Sequence, residues 1–267
     1  MKPFLYVFGL PVGTYGLCML AGLTAAFFLF KALLKRRRVR WECAMVIFAC
    51  AFGVALFGAY LLYMLASVGI PTLIRAARAG LLWEVLQMGG MVFYGGVIGG
   101  VFGVLLGCRI VGLRFFPVLD LCAPALALGH AFGRVGCLFA GCCYGVPCDL
   151  PFCFALSPDI AGGARLFPVQ LAESACDLLL CLALVVYLRK PRRVPRAAGI
   201  FMMSYSVYRF ALEFLRYDEI RGHVFSLSTS QFISIAVFLA GLVFVFILGR
   251  RGLDPEIFRT DEGRIPD

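Results

Sequence analysis

The chain has 267 residues, of which 62% are hydrophobic, and its formal net charge is +10. Soluble domains are roughly half apolar, so an apolar excess over the whole length excludes an ordinary soluble fold and indicates an all-α polytopic membrane protein. The positive charge does not indicate nucleic-acid binding, because the basic residues lie in blocks beside apolar segments, as they do in cytoplasmic loops.

Seven apolar segments are predicted to be transmembrane helices, each close to the ~20 residues that a helix needs to cross the hydrocarbon core. In chain order they cover residues of about 11–30, 44–68, 89–107, 116–132, 169–188, 197–215 and 231–248. The N-terminus has no convincing signal-peptide cleavage region, so the first segment is expected to remain as a helix. We predict one transmembrane helical domain over 1–250 and a polar cytoplasmic tail over 251–267.

Basic residues predict the orientation of these helices. They follow the first, fifth and seventh segments and also separate the third from the fourth, at 31–40, 189–196, 250–251, Arg109 and Arg114. Cytoplasmic loops carry an excess of lysine and arginine, so the N-terminus is predicted outside and the C-terminus inside. The stretch that follows the fourth segment, 134–168, then faces outward.

Arg134 is the first candidate site residue, at the outward end of the fourth segment. An arginine near a helix end can extend to the headgroups without any further role. The neighbouring Gly133 and Gly136 favour a functional role, because small residues allow close approach to the backbone. A guanidinium group can bind a phosphate through two hydrogen bonds, so Arg134 is predicted to bind a lipid phosphate.

The sixth segment carries several charged residues. Tyr205, Arg209 and Glu213 follow one another at intervals of four, so they share one helical face, and Arg216 comes three residues later. Charges inside an apolar segment are costly, and they are functional candidates by default. A purely structural Arg209–Glu213 pair is the alternative.

The outward ends of the third and fifth segments also carry candidates. Tyr94 is positioned to present a hydroxyl to a cavity beside Gly95 and Gly96, although close packing is the commonest use of such glycines. Gln170 and Glu173 lie near the start of the fifth segment, where a carboxylate favours the helix dipole.

Five cysteines occur in and after the central stretch 130–149. They are Cys137, Cys142, Cys143, Cys148 and Cys153. Their spacing, C-x4-C-C-x4-C-x4-C, is not a usual zinc spacing and no paired histidines accompany it, so no metal site is predicted. Disulfides, small-residue packing and a catalytic thiol remain open, since an outward loop permits disulfides and His130 lies two helical turns before Cys137.

Several motifs together resemble the prolipoprotein diacylglyceryl transferase family. They are TYGL at 14–17, FYGGVIGG at 93–100, GRVGCLFAGCCYG at 133–145, FPVQLAES at 167–174, YSVYRFALEFLR at 205–216 and LSTSQ at 227–231. Each fragment alone is weak, and their order and spacing make the combination specific.

The resemblance implies a seven-helix enzyme of the bacterial inner membrane, with its active site toward the outer leaflet. Such an enzyme transfers the diacylglyceryl group of phosphatidylglycerol to the lipobox cysteine of a prolipoprotein, forming a thioether and releasing glycerol phosphate. The implied partners are therefore phosphatidylglycerol, prolipoprotein lipobox segments and the bilayer, with no nucleic acid. No cofactor and no metal is implied.

On this basis we predict a catalytic set and a substrate-binding set. The catalytic residues are Arg134, Tyr205, Arg209, Tyr94 and Glu213. The substrate-binding residues are Arg134, Arg209, Arg216, Tyr15, Gly95, Gly96 and Gly145. The two arginines that occur in both sets are expected to hold the donor phosphate and to stabilise its leaving charge.

The chain departs from the family signature, GRxGNFxNxExxG, at defined positions. Cys137 replaces the first asparagine, Gly141 falls near the second, and Cys142 replaces the glutamate. Tyr94 stands where many members have a histidine before two glycines. These departures leave the general base open. They also leave two alternatives, which are a divergent membrane transferase or binder of another phospholipid-derived group, and a non-catalytic cysteine-based membrane sensor.

Overall fold

The computed structural model describes residues 4–7, 10–87, 90–156, 161–190, 195–217, 223–224 and 227–246. It is an all-α protein with two short hairpins, and six of its helices are long and apolar enough to cross a membrane. These six are Thr14–Arg36, Trp41–Val68, Phe93–Ile110, Phe115–Ala140, Val169–Tyr187 and Thr229–Phe246. The chain is therefore a multi-pass membrane protein, as its composition predicts.

The described residues form two compact units, one within Met1–Leu33 and Asp120–Pro255 and the other within Leu34–Leu119. The prediction of a single domain over 1–250 stays a prediction, and the predicted tail, 251–267, lies outside the described residues.

The second unit is built on two helices that cross closely. Helix α2 (Trp41–Tyr63) continues through a π-helical turn, Met64–Val68, to two short helices, α3 (Ile70–Arg78) and α4 (Leu82–Leu86), and then to α5 (Phe93–Ile110). Glycines recur at every fourth position of α5, at Gly95, Gly99, Gly103 and Gly107, and all four are buried. A Cβ at Gly103 would lie 2.6 Å from the Cα of Ala51 in α2, so these glycines permit close backbone contact.

The other elements lie wholly or mostly in the first unit. A hairpin of β1 (Phe4–Val7) and β2 (Leu10–Gly13) precedes α1 (Thr14–Arg36). Four further helices follow: α6 (Phe115–Ala140), α7 (Val169–Tyr187), α8 (Ala197–Glu213) and α9 (Thr229–Phe246). A second hairpin, β3 (His223–Val224) with β4 (Leu227–Ser228), comes directly before α9.

A buried carboxylate in α6 holds the start of α8. The two oxygens of Asp120 accept hydrogen bonds from the backbone N–H groups of Arg196 and Ala198, at 2.7 and 2.9 Å. The first N–H groups of a helix have no partner within the helix, so this carboxylate satisfies two of them and complements the helix dipole. The contact joins two helices that carry site residues.

The described parts of the connection between α6 and α7, residues 141–156 and 161–168, form a lobe. Leu138, Leu156 and Leu166 form its buried apolar cluster, and Leu166 pairs with Phe154 through two backbone hydrogen bonds. Cys148 and Cys153 form a disulfide. The guanidinium group of Arg165 donates to the carbonyl oxygens of Leu150 and Cys153, which ties the strand-like segments together.

Each predicted apolar segment corresponds to a helix, and several helices begin or end at residues other than those predicted. The fourth segment, predicted over about 116–132 with Arg134 at its outward end, is wrong at that end, because α6 continues to Ala140. The helix ends where Gly141 takes a left-handed conformation, with φ at 70°. The first helix begins at Thr14 because the residues just before it pair in the hairpin. Helix α8, the predicted sixth crossing, has 17 residues, so the count of seven crossings stays a prediction.

Candidate active site

A buried glutamate lies between two arginines from different helices. Glu173 of α7 is 1% exposed, and one of its oxygens lies 3.0 Å from Nη2 of Arg134 in α6 and 3.6 Å from Nε of Arg209 in α8. The sequence motifs at 133–145, 167–174 and 205–216 therefore meet around one carboxylate. A carboxylate that faces two guanidinium groups holds them in fixed positions, which is a requirement for preorganised charge stabilisation.

Helix α9 completes the surroundings of Arg209. Nη1 of Arg209 lies 2.7 Å from a carboxylate oxygen of Glu213, and Nη2 donates to the hydroxyl of Ser230 at 2.8 Å. The other oxygen of Glu213 accepts a hydrogen bond from the hydroxyl of Ser228 at 2.8 Å. Nε of Arg216 lies 3.9 Å from the Glu213 oxygen that faces Arg209. The predicted Arg209–Glu213 pair is thus part of a larger network.

Three arginine side chains in this network are largely withdrawn from solvent. The side chains of Arg134, Arg209 and Arg216 are 15%, 6% and 3% exposed, and among the described residues they face the carboxylates of Glu173 and Glu213. Nε of Arg134 is buried and has no hydrogen-bond acceptor among the described residues. A buried guanidinium group with a remaining donor suits an anionic oxygen of a substrate.

Tyr205 lies beside this network. Its ring makes edge contacts with His130 and Tyr208, each at 5.4 Å between centroids, and it stacks on Phe201 at 5.8 Å. Its hydroxyl interacts electrostatically with Glu173 and with both arginines that face that carboxylate. The structure thus brings Tyr205 together with the predicted arginines.

A second buried carboxylate on α7 was missed by the sequence reasoning. Asp177 is 0% exposed; one of its oxygens lies 2.7 Å from Nδ1 of His130, and the other accepts a hydrogen bond from the hydroxyl of Tyr208. Asp177 follows Glu173 by four residues, so both carboxylates lie on one face of the helix. An acidic residue in the middle of an apolar segment was the available signal.

Replacing Asp177 by alanine is expected to lower thermal stability in detergent, because His130 and Tyr208 both lose a buried acceptor. Each buried polar group that loses its partner costs about 1–3 kcal/mol. Leu178→Ala is the matched control, since Leu178 is the next residue of α7 and is 47% exposed. Equal melting temperatures for the two variants would contradict a structural role for the Asp177 interactions.

Three cysteine side chains lie close together, and the first of them, Cys137, is one helical turn from Arg134 in α6. The sulfur atoms of Cys137, Cys142 and Cys143 all lie within 4.8 Å of one another. The pKa of the Cys143 thiol is lowered, because its thiolate accepts hydrogen bonds from the thiols of Cys137 and Cys142 and interacts with the guanidinium groups of Arg216 and Arg134. The amide of Gln170 donates to the carbonyl oxygen of Cys142 at 2.8 Å, which attaches this group to α7.

Gly145 lies where the backbone comes very close to the carbonyl oxygens of Phe167 and of Leu215, the residue before Arg216, and a side chain would not fit there. Its N–H donates to the carbonyl oxygen of Phe167 at 3.2 Å, and the next residue, Val146, donates to Leu215 at 2.9 Å. A Cβ at Gly145 would lie 2.5 Å from the oxygen of Phe167 and 2.8 Å from that of Leu215. The glycine therefore lets the lobe between α6 and α7 contact the end of α8.

The other predicted site residues have different surroundings. The ring of Tyr15 lies against Gly136 of α6, where a Cβ would be 3.0 Å from the ring, and Tyr15 is 44% exposed. Tyr94, Gly95 and Gly96 belong to the other compact unit. Tyr94 is 39% exposed, and a Cβ at Gly95 would overlap the backbone of Gly58 in α2. The roles of these residues stay predictions.

Comparison with known proteins gives consistent matches over nearly the whole chain. A family model described as prolipoprotein diacylglyceryl transferase matches residues 3–247. The chain is 37% identical over 255 residues to the phosphatidylglycerol–prolipoprotein diacylglyceryl transferase of Clostridium tetani, which covers 94% of this chain and 98% of that protein. It is 40% identical over 156 residues to a transferase of the same description, numbered 2, from Clostridium perfringens, covering 58% and 60% of the two chains. A protein of that description from Finegoldia magna is 29% identical over 241 residues, covering 89% and 91%.

Proposed function

The chain belongs to the prolipoprotein diacylglyceryl transferase family, and on that premise we propose that it transfers the diacylglyceryl group of phosphatidylglycerol to the lipobox cysteine thiol of a prolipoprotein. The reaction forms a thioether and releases glycerol phosphate. The observation that supports this proposal best is the buried cluster in which Glu173 holds Arg134 and Arg209. The two alternatives drawn from the sequence have no comparable support.

Arg134 and Arg209 bind the phosphate of phosphatidylglycerol. The attacking sulfur forms a bond to the terminal glyceryl carbon of the donor, and the C–O bond to the phosphate breaks with its electron pair. Negative charge therefore grows on the leaving phosphate. Preorganised cations at a developing anion are usually the largest catalytic contribution, and these two side chains are already held by buried partners.

The remaining residues position or bind the substrates. Glu213 holds Arg209 and approaches Arg216. The ring of Tyr205 contacts that of His130, and its hydroxyl interacts with Arg134 and Arg209. Tyr205 and Glu213 are therefore assigned positioning or proton-transfer roles, and Arg216 substrate binding. Tyr15 packs against Gly136, two residues after Arg134, and Gly145 lies against Leu215, the residue before Arg216, so both are assigned to substrate binding. Substrate contact by Tyr94 beside Gly95 and Gly96 rests on the motif alone.

The enzyme acts at the outer leaflet of the bacterial inner membrane. Helices α1 and α7 are each followed by basic residues, as expected of cytoplasmic ends. The clustered carboxylate Glu173 lies at the opposite, N-terminal end of α7. With α8 counted as a seventh crossing, the N-terminus is outside and the C-terminus is cytoplasmic.

Transfer is tested with the purified protein in vesicles that contain phosphatidylglycerol with labelled acyl chains, together with a peptide that carries a lipobox cysteine. We expect the label to become attached to the peptide through a thioether, with glycerol phosphate released in equal amount. A peptide with serine in place of the cysteine, and vesicles of phosphatidylcholine alone, are expected to give no product. Absence of product from the complete mixture, or equal product from the serine peptide, would rule out the proposed reaction.

A further inference from the structure

We propose that Cys137, Cys142 and Cys143 bind one zinc ion, and that the ion takes the acceptor cysteine as its fourth ligand. The three sulfur atoms lie within 4.8 Å of one another. Zinc–sulfur bonds are about 2.3 Å long, so the sulfur atoms of a tetrahedral site lie about 3.8 Å apart. Small side-chain movements would therefore bring all three sulfur atoms to bonding distance of one ion.

The backbone around these cysteines turns them toward one another. Cys142 and Cys143 are consecutive, and side chains of consecutive residues in an extended chain point in opposite directions. Here Gly141 and Cys143 both adopt left-handed conformations, with φ at 70° and 60°. Among the described residues, Arg38 is the only other non-glycine residue with a positive φ, so Cys143 is held in an uncommon conformation.

Several hydrogen bonds hold that turn in place. The N–H of Cys142 donates to the carbonyl oxygen of Cys137 at 3.1 Å, and Gln170 donates to the carbonyl oxygen of Cys142. Backbone bonds at Gly145 and Val146 fix the chain just beyond. Metal sites depend on such supporting contacts, because they orient the ligands before the ion binds.

The residue types select the kind of ion. Thiolates are soft ligands and favour zinc or copper(I) over calcium or magnesium. Three protein ligands with one further position for a substrate are typical of catalytic zinc, whereas structural zinc sites have four protein ligands. The disulfide of the adjoining lobe joins Cys148 to Cys153 and leaves these three cysteines together as free thiols.

A substrate role follows from the place of the cysteines beside the arginines. Cys137 follows Arg134 by three residues in α6, and Gln170 precedes Glu173 by three in α7, so each is about one helical turn from the phosphate-binding cluster. An acceptor thiol that binds the ion loses its proton to solvent, because a coordinating thiol is deprotonated. The resulting thiolate then attacks the glyceryl carbon and the phosphate leaves, with no change in oxidation state. This second part of the proposal rests on the proposed function.

The metal site is tested first without reference to catalysis. The intact protein, purified in detergent under anaerobic conditions, is analysed for zinc, and a portion freed of metal with a chelator is then titrated with cobalt(II). We expect about one zinc per chain and the charge-transfer bands of cobalt bound to thiolates. Cys143→Ser should abolish both signals, and Cys176→Ser should leave both intact because Cys176 lies on α7 outside the group. Less than a tenth of an equivalent of metal in the unmodified protein would overturn the proposal.

The substrate role is tested on the same preparations, so that its failure can be separated from failure of the proposed function. A lipobox peptide should change the cobalt spectrum, and its serine counterpart should not. An unbound thiol with a pKa of about 8.5 is a few per cent thiolate at pH 7, so removing the metal with a chelator should slow transfer about thirtyfold, and zinc should restore it. Full transfer by the metal-free protein would overturn the inference and leave the proposed function intact. Metal binding and a peptide response without any transfer would support the site and contradict the proposed function.

Discussion

The Arg209→Ala variant is expected to transfer the diacylglyceryl group about 100- to 1000-fold more slowly than the unmodified protein, the usual loss when one preorganised donor to a developing anion is removed. Arg209 contacts Glu173, Glu213 and Ser230 at once, so it is the most connected residue of the cluster. The initial rate of labelled transfer from phosphatidylglycerol to a lipobox peptide measures the effect.

Two further variants show whether the guanidinium geometry matters. Arg209→Lys keeps the charge, but a compact ammonium group cannot reach three partners in different directions, so we expect little recovery of the rate. Arg189→Ala is the control: Arg189 is exposed and lies beyond the C-terminal end of α7, opposite Glu173. A rate for Arg209→Ala within a factor of two or three of the control would exclude a role in phosphate stabilisation.

Replacing Glu173 by alanine should damage both stability and activity. Two guanidinium groups would then face each other without the carboxylate between them, and breaking a buried ion pair from one side typically costs about 3–5 kcal/mol. We expect a lower melting temperature in detergent and at least a tenfold slower transfer, because Arg134 and Arg209 are no longer held in place. Both quantities are measured on the same preparation.

Two control variants, Glu173→Gln and Glu42→Ala, are compared with Glu173→Ala in melting temperature and transfer rate. Glu173→Gln keeps an acceptor oxygen and loses the charge, so it should fall between the alanine variant and the unmodified protein in both measurements. Glu42→Ala removes a carboxylate whose pairing with Arg40, at 4.0 Å, is solvent-exposed, and such pairs contribute about 0–1 kcal/mol. Unchanged stability and rate in Glu173→Ala would show that the buried glutamate does not organise the site.

The charged face of α8 could be predicted from the sequence because charges are rare in apolar segments. Arg209 and Glu213 are candidates on cost alone, and their spacing of four predicts the contact that the structure shows. Glu173 could not be assigned in the same way. At the start of a helix a carboxylate has an ordinary explanation in the helix dipole, and nothing local indicates that arginines from α6 and α8 converge on it.

The cysteines show a different limit of sequence reasoning. Their spacing argues against a zinc site because usual zinc motifs place two ligands in one short turn. In the structure the helix end at Cys137 and the left-handed turn at Cys143 bring three sulfur atoms together, while Cys148 and Cys153 pair separately. Left-handed conformations of residues other than glycine are rare and are not predicted from residue type, so spacing alone does not reveal this arrangement.

The sequence by itself determined the class of protein, the approximate helices, the family and the arginines of the candidate site. These depend on hydrophobicity, charge cost and local periodicity, which are properties of single segments. Only the tertiary structure decided which carboxylate lies between Arg134 and Arg209, that Asp177 binds His130 and Tyr208, and which cysteines meet. The carboxylate contacts join different helices, and the cysteines meet through the turn that follows α6. No single segment specifies these geometries, because they depend on close packing between segments.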